Sequence, residues 1–105
     1  MNIFKKFKAF LRFREAVKLA DKAHKQNGQK YYVLPQADGK LIVMDRKNFR
    51  GLRRKGYISR SISLPSVASH CVYCTPDARG RGGVDDLKQK FNEYIKYLII
   101  CEKLS

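Results

Sequence analysis

The sequence predicts an α+β fold: a long N-terminal helix and a C-terminal helix packed on a small antiparallel sheet of two or three strands, with a short basic helix after the hairpin. Three features predict it. Residues 2–27 are good helix formers without an internal Gly or Pro, two short runs rich in β-branched and aromatic residues flank Asp38-Gly39, and a helical stripe of apolar side chains recurs near the C-terminus. A chain of 105 residues suits one domain, and its 44% apolar content, with six Tyr and six Phe, suffices for one core.

The first helix stops at Asn27-Gly28, a usual C-terminal signal. Its apolar face does not stay in one place. At about 100° per residue, Ile3, Phe4, Phe7, Phe10 and Leu11 share one stripe, whereas Phe13, Ala16, Val17, Ala20 and Ala23 share another roughly 140° further round. One straight helix therefore has two faces to cover, and the first stripe is expected to dock on the protein's own core or on a second subunit. Because Lys5, Lys6, Lys8 and Arg12 flank that stripe, its pattern also matches an interfacial membrane helix, although over only some ten residues.

Residues 30–35 and 40–45 read as two strands joined by a Gln36-Ala37-Asp38-Gly39 turn. Both strands are apolar on both sides, so both faces of the hairpin should be covered by helices or by another copy of the chain. Asp45 suits the N-cap of a helix over residues 46–55, with Gly56 as its stop. Residues 57–64 place Ile58, Ile62 and Leu64 on one parity and Ser59, Ser61 and Ser63 on the other, the pattern of a third strand with one wet face. A lone hairpin is only marginally stable, which favours that third strand. Pro65 opens a short helical turn reaching His70, residues 75–83 form a loop by composition, and Asp85 or Asp86 starts the last helix, with Leu87, Phe91, Tyr94, Ile95 and Leu98 on one stripe.

Charge bears most directly on function. The chain carries 23 Lys and Arg against 9 Asp and Glu, a net charge of +14. Residues 1–60 hold 17 basic and 4 acidic side chains, and residues 61–105 hold 6 and 5. Such an excess repels itself unless an anionic partner offsets it, so a partner-facing surface belongs to the N-terminal part. On the predicted short helix, Phe49 and Leu52 face inward, Arg46, Lys47, Arg50 and Arg54 fan over the opposite side, and Arg53 sits at the edge. Guanidinium forks match phosphate oxygens, so this helix is a platform for a nucleic-acid backbone, with no side-chain set that reads bases. The competing reading is a solvated helix in a basic protein. Lys18, Lys22 and Lys25 line one face of the first helix and would extend the same surface if the two helices pack side by side. Tyr31 and Tyr32 have the chemistry to stack on bases, but in so apolar a hairpin they belong with the core.

The remaining motifs exclude more than they assign. Cys71, Cys74 and Cys101 cannot all pair within one chain, and Lys5, Lys6, Lys8 and Arg12 interrupt every N-terminal apolar run, so a reduced, cytoplasmic setting without a secretory signal is expected. The longest apolar stretch, residues 97–101, falls far short of the roughly 20 residues of a membrane span. His70-Cys71-Val72-Tyr73-Cys74 holds one Cys-x-x-Cys pair, but a structural zinc site needs four ligands, and the other candidates, Cys101 and His24, are isolated; no metal and no cofactor are expected. The same pair lacks the strand-then-helix setting of a redox motif, which leaves two buried small apolar groups. Arg79-Gly80-Arg81-Gly82-Gly83 reads as a flexible loop rather than an anion nest, since it lacks the Lys-Ser/Thr ending of a phosphate loop. Two distant histidines, scattered carboxylates and no nucleophile elbow give catalysis little to stand on. The expectation is a non-enzymatic nucleic-acid-binding module. The rival is an assembly protein, of the short basic kind common among phage and mobile elements, that docks on a partner or on itself through the N-terminal stripe; a membrane surface is a third, less favoured partner.

Overall fold

The first helix, α1, runs from Ile3 to Asn27, with Asn2 as its N-cap accepting from the Lys5 amide and Gly28 closing its end by donating its amide hydrogen bond to the His24 carbonyl. The computed structural model describes the chain apart from residues 37, 38, 59, 78, 81, 82, 85 and 105 and the side chains of Leu64, Ala68 and Leu104. Expectations for Ala37 and Asp38 in the hairpin turn, Ser59, Arg81-Gly82 and Asp85 thus fall outside the described residues.

After α1 come strands β1 (Tyr32–Pro35) and β2 (Leu41–Met44), helix α2 (Arg46–Arg54), a 3₁₀ turn (Leu64–Ser66) leading into the one-turn helix α3 (Val67–His70), strand β3 (Tyr73–Cys74), and helix α4 (Leu87–Leu104). The fold is α+β, with an antiparallel sheet in the order β2-β1-β3. Pairing in the hairpin runs from Tyr32 opposite Met44 to Pro35 opposite Leu41. Asp45 caps α2 through the Asn48 amide, and Asp86 takes the equivalent place before α4 by accepting from the Gln89 amide.

The third strand is not at residues 57–64. It is Tyr73–Cys74, with Tyr32 opposite Cys74 and Val33 opposite Tyr73, extended by hydrogen bonds from the Val72 amide to the Val33 carbonyl and from the Thr75 amide to the Tyr31 carbonyl. The backbone after α2 is committed elsewhere: the Tyr57 amide closes on the Leu52 carbonyl, the Gly56 amide on that of Arg53, and the Arg53 side chain donates to the Ile62 carbonyl. The alternation of isoleucines there serves packing without a ladder, since Ile58 is buried and Ile62 half-buried under α2. Ser63 and Ser66 bond one another and the turn that opens α3.

Both faces of the sheet are covered by helices, as the hairpin's two-sided apolarity predicts. Period-2 alternation in each strand divides the side chains between the faces. Val33, Val43, Leu41 and Tyr73 pack with Phe13, Ala16, Val17 and Ala20 of α1 and Tyr94 and Leu98 of α4. Leu34, Met44, Ile42 and Cys74 pack on the other side with Phe49 of α2, Ile58, Val67 and Cys71. Small residues at 9, 16 and 20 let α1 approach closely, and Ala9 and Ala20 are all but inaccessible. Of the expected α4 stripe, Tyr94 and Leu98 are buried and Phe91 and Ile95 half-buried, while Leu87, the first residue of the helix, is exposed.

The hairpin tip is held at one carbonyl. Gly39 O accepts from the Tyr94 hydroxyl and, at 3.0 Å, from Arg12 Nη1, which also reaches the Tyr94 oxygen at 3.2 Å. Gly39 has φ +86°, and a Cβ there would stand 3.1 Å from Leu98 Cδ2, so only glycine brings this carbonyl to the two helices without strain.

Candidate functional site

Helix α2 is positioned by its two ends and one anchor. Phe49, 2% exposed, pins its inner face, and Arg53 lies over the Phe49 ring with its guanidinium carbon 5.5 Å from the centroid. Arg46, Lys47, Arg50 and Arg54 are exposed on the outer side, as the helical spacing predicts. Arg53 is half-buried, and its Nη1 donates to the Ile62 carbonyl at 3.2 Å, which ties the turn after α2 back against the helix.

That tie brings in a residue the sequence reading did not select. Arg60, exposed in the turn, joins Arg50, Arg53 and Arg54 around an open depression of about 370 Å³. Arg60 lies in the stretch whose alternation predicts a strand, which gives it no place beside the helix. A signal was available: two isoleucines four apart, Ile58 and Ile62, can fold a turn under a helix as readily as they can face one side of a strand. Among the described residues the ion pairs are Lys90 with Glu93, at 3.3 Å, and two to Glu102, so none neutralises these four arginines. The C-terminal end of α2, where the helix dipole is negative, offsets part of their mutual repulsion.

Beside the depression, an open groove of about 750 Å³ is lined by Leu34, Pro35, Tyr57, Ile58, Ile62 and His70, among others. Tyr57 is 56% exposed, a large aromatic face left to solvent three residues beyond the basic helix. Tyr31 and Tyr32 are half-buried: the Tyr31 hydroxyl accepts from Asn27 Nδ2, and Lys30 lies over the Tyr32 ring. They are packing residues, which follows from the hairpin's two-sided burial.

Lys18, Lys22 and Lys25 are exposed on α1, but α1 and α2 cover opposite faces of the sheet. The side-by-side packing that would have joined these lysines to the α2 cluster is not how the helices lie, because each needs a different face of the same hairpin. The N-terminal stripe does not dock on the protein's own core: Ile3, Phe4 and Phe7 are 60–79% exposed, Leu11 is 46% exposed, and Phe10 touches the body of the fold edge-on through Phe91.

Cys71 and Cys74 are buried against the α2–α3 side of the sheet, and no disulfide joins the three cysteines. Their thiols interact. The hydrogen bond from Cys71 holds Cys74 down to about 6, helped by Lys30 and Lys90 and opposed by burial, while the same bond and burial push Cys71 far up. Tyr73 is likewise raised, first by burial and then by donating a 2.6 Å hydrogen bond to the Asp21 carboxylate. Among the described residues no three His, Cys, Asp or Glu side chains converge to hold a metal ion; the His24 ring, on the α1 side, engages the Gln29 carbonyl. Comparison with family models, with curated proteins and with solved structures finds no match to this chain.

Proposed function

We propose that this protein is a non-enzymatic nucleic-acid-binding module that grips the phosphate backbone, with little sequence preference, on α2 and the turn that follows it. The observation that carries this reading is the depression ringed by Arg50, Arg53, Arg54 and Arg60. Four guanidinium groups brought together without a carboxylate among the described residues repel one another until an anion enters. Their planar forks suit phosphate oxygens, and contacts of that kind fix position rather than sequence. Arg46 and Lys47 extend the cationic face toward the start of the helix. Tyr57, exposed in the turn between α2 and Arg60, offers a surface on which an unpaired base can stack, a sequence-tolerant contribution of about 1–3 kcal/mol per base.

Fluorescence anisotropy of labelled single- and double-stranded DNA and RNA, at about 50 and 200 mM salt, tests the reading. The comparison protein is the triple variant R50E/R54E/R60E; Arg53 is left in place because it ties the turn to the helix. The wild type should retain binding at the higher salt, the variant should lose it while keeping the far-ultraviolet circular dichroism of the wild type, and the slope of log K against log salt on duplex DNA should shrink by about 2–3. Equal binding by both proteins, seen only at low salt, would reduce the charge to bulk attraction and remove α2 as the site. The exposed N-terminal stripe supports a second surface, for which docking on another protein or copy and attachment to a membrane compete.

A further inference from the structure

The solvent-facing side of α1 is divided along its length. At about 100° per residue, Ile3, Phe4, Phe7, Phe10 and Leu11 occupy its first turns, and Arg14, Lys18, Lys22 and Lys25 continue along the same side to the end of the helix. All nine are exposed. Lys6 and Lys8, also exposed, flank the apolar part, whereas Lys5 and Arg12 are turned toward α4, pairing with Glu102 and bonding Tyr94 and Gly39. Of the two acids in α1, Asp21 is held by the Tyr73 hydroxyl, and Glu15 is the one exposed carboxylate near this face. The amphipathic face is therefore not ten residues long, as the apolar stripe alone implies, but runs the full 25-residue helix.

We infer that this face seats on an anionic lipid surface, with the phenylalanine end buried at the headgroup–acyl boundary and the lysine end lying over the phosphates. Charge selects this occupant. The first 14 residues contain no acid, so a second copy docked stripe to stripe would bring cations against cations. A nucleic acid would satisfy the lysines but leave Ile3, Phe4 and Phe7 in water. Only an interface that is apolar within and negative at its surface matches both halves, and basic amphipathic helices with aromatic residues bind it in that way. Among the described residues no helix is long and apolar enough to cross a membrane, so the attachment is in plane.

Flotation of the full chain with vesicles tests this, using phosphatidylcholine alone and with about 30% phosphatidylserine, at about 50 and 300 mM salt. The wild type should float with the anionic vesicles and not with the neutral ones. F4S/F7S should lose flotation at both salts, and K18E/K22E/K25E should weaken it by well over tenfold, at about fivefold per cation. These side chains are exposed, so far-ultraviolet circular dichroism should stay that of the wild type. R50E/R54E/R60E should float normally, which separates this surface from the nucleic-acid reading. The inference is overturned by absence of flotation with anionic vesicles, or by flotation undiminished in F4S/F7S, the mark of attraction to any polyanion. It is also overturned if light scattering shows a dimer that F4S/F7S dissociates while vesicles capture neither protein, in which case the stripe serves self-assembly.

Discussion

Cys74 sits where a thiolate is favoured although the residue is only 9% exposed. The Cys71 thiol donates to it, and Lys30 and Lys90 add positive potential, so it is held down to about 6 while its neighbour keeps the proton. The sign follows from the lowered value: Cys74 carries its charge at neutral pH and loses it as pH falls through about 6. Alkylation of the Cys74 peptide, followed by mass spectrometry across about pH 5–9, should show a midpoint near 6 in the wild type. Cys71→Ala removes the hydrogen bond that holds Cys74 down, and the midpoint should move up toward that of an ordinary thiol. A profile unaltered by that substitution would show that the lysines, not the neighbouring thiol, set the titration. Burial slows the reaction throughout, so the midpoint rather than the rate is the readout.

At the scale of the element, α2 depends on its ends. A nine-residue helix with an internal glycine does not persist alone in water. Asp45 satisfies one end, and the other is closed by the Gly56 amide on the Arg53 carbonyl and the Tyr57 amide on the Leu52 carbonyl. Gly56 has φ +86°, so Gly56→Ala should cost about 1 kcal/mol and lower the melting temperature by about 4–8 °C. Gly51 is helical with open space where a Cβ would stand, and Gly51→Ala should raise stability by about 0.5–1 kcal/mol. Thermal denaturation of both variants checks the pair of opposite signs; equal signs would contradict this account of the helix. The N-terminal turns of α1 show the complementary case, a stretch whose helix is secured by continuity with the packed turns after it rather than by burial of its own apolar stripe.

Across the whole molecule, a net charge of +14 is confined within a radius of gyration of 13.6 Å. Self-repulsion of that kind is screened by salt, so the melting temperature should rise between about 20 and 300 mM sodium chloride and then level off. A flat response would mean that the cations lie too far apart to destabilise the fold. The two proposed surfaces fall on opposite layers: α1 with its apolar and cationic outer face on one side of the sheet, α2 with its arginines on the other. Occupation of one leaves the other open. Much of this was legible in the residues themselves. The α+β class, both helix caps of α2, the Asn27-Gly28 stop, the hairpin and its two-sided burial, and the shift of apolar stripe along α1 all follow from local spacing and turn chemistry. What spacing left open was settled by competition for partners in space. The alternation in residues 57–64 predicts the third strand, but the turn after α2 is held by amide hydrogen bonds to the Leu52 and Arg53 carbonyls and by Arg53 on the Ile62 carbonyl, and Tyr73–Cys74 pairs with β1 instead. That choice placed Arg60 beside Arg50 and Arg54, and the sheet's need for a helix on each face parted Lys18, Lys22 and Lys25 from them. A single sequence records which side chains want cover, but the cover itself is assigned when distant segments exclude one another from the same surface.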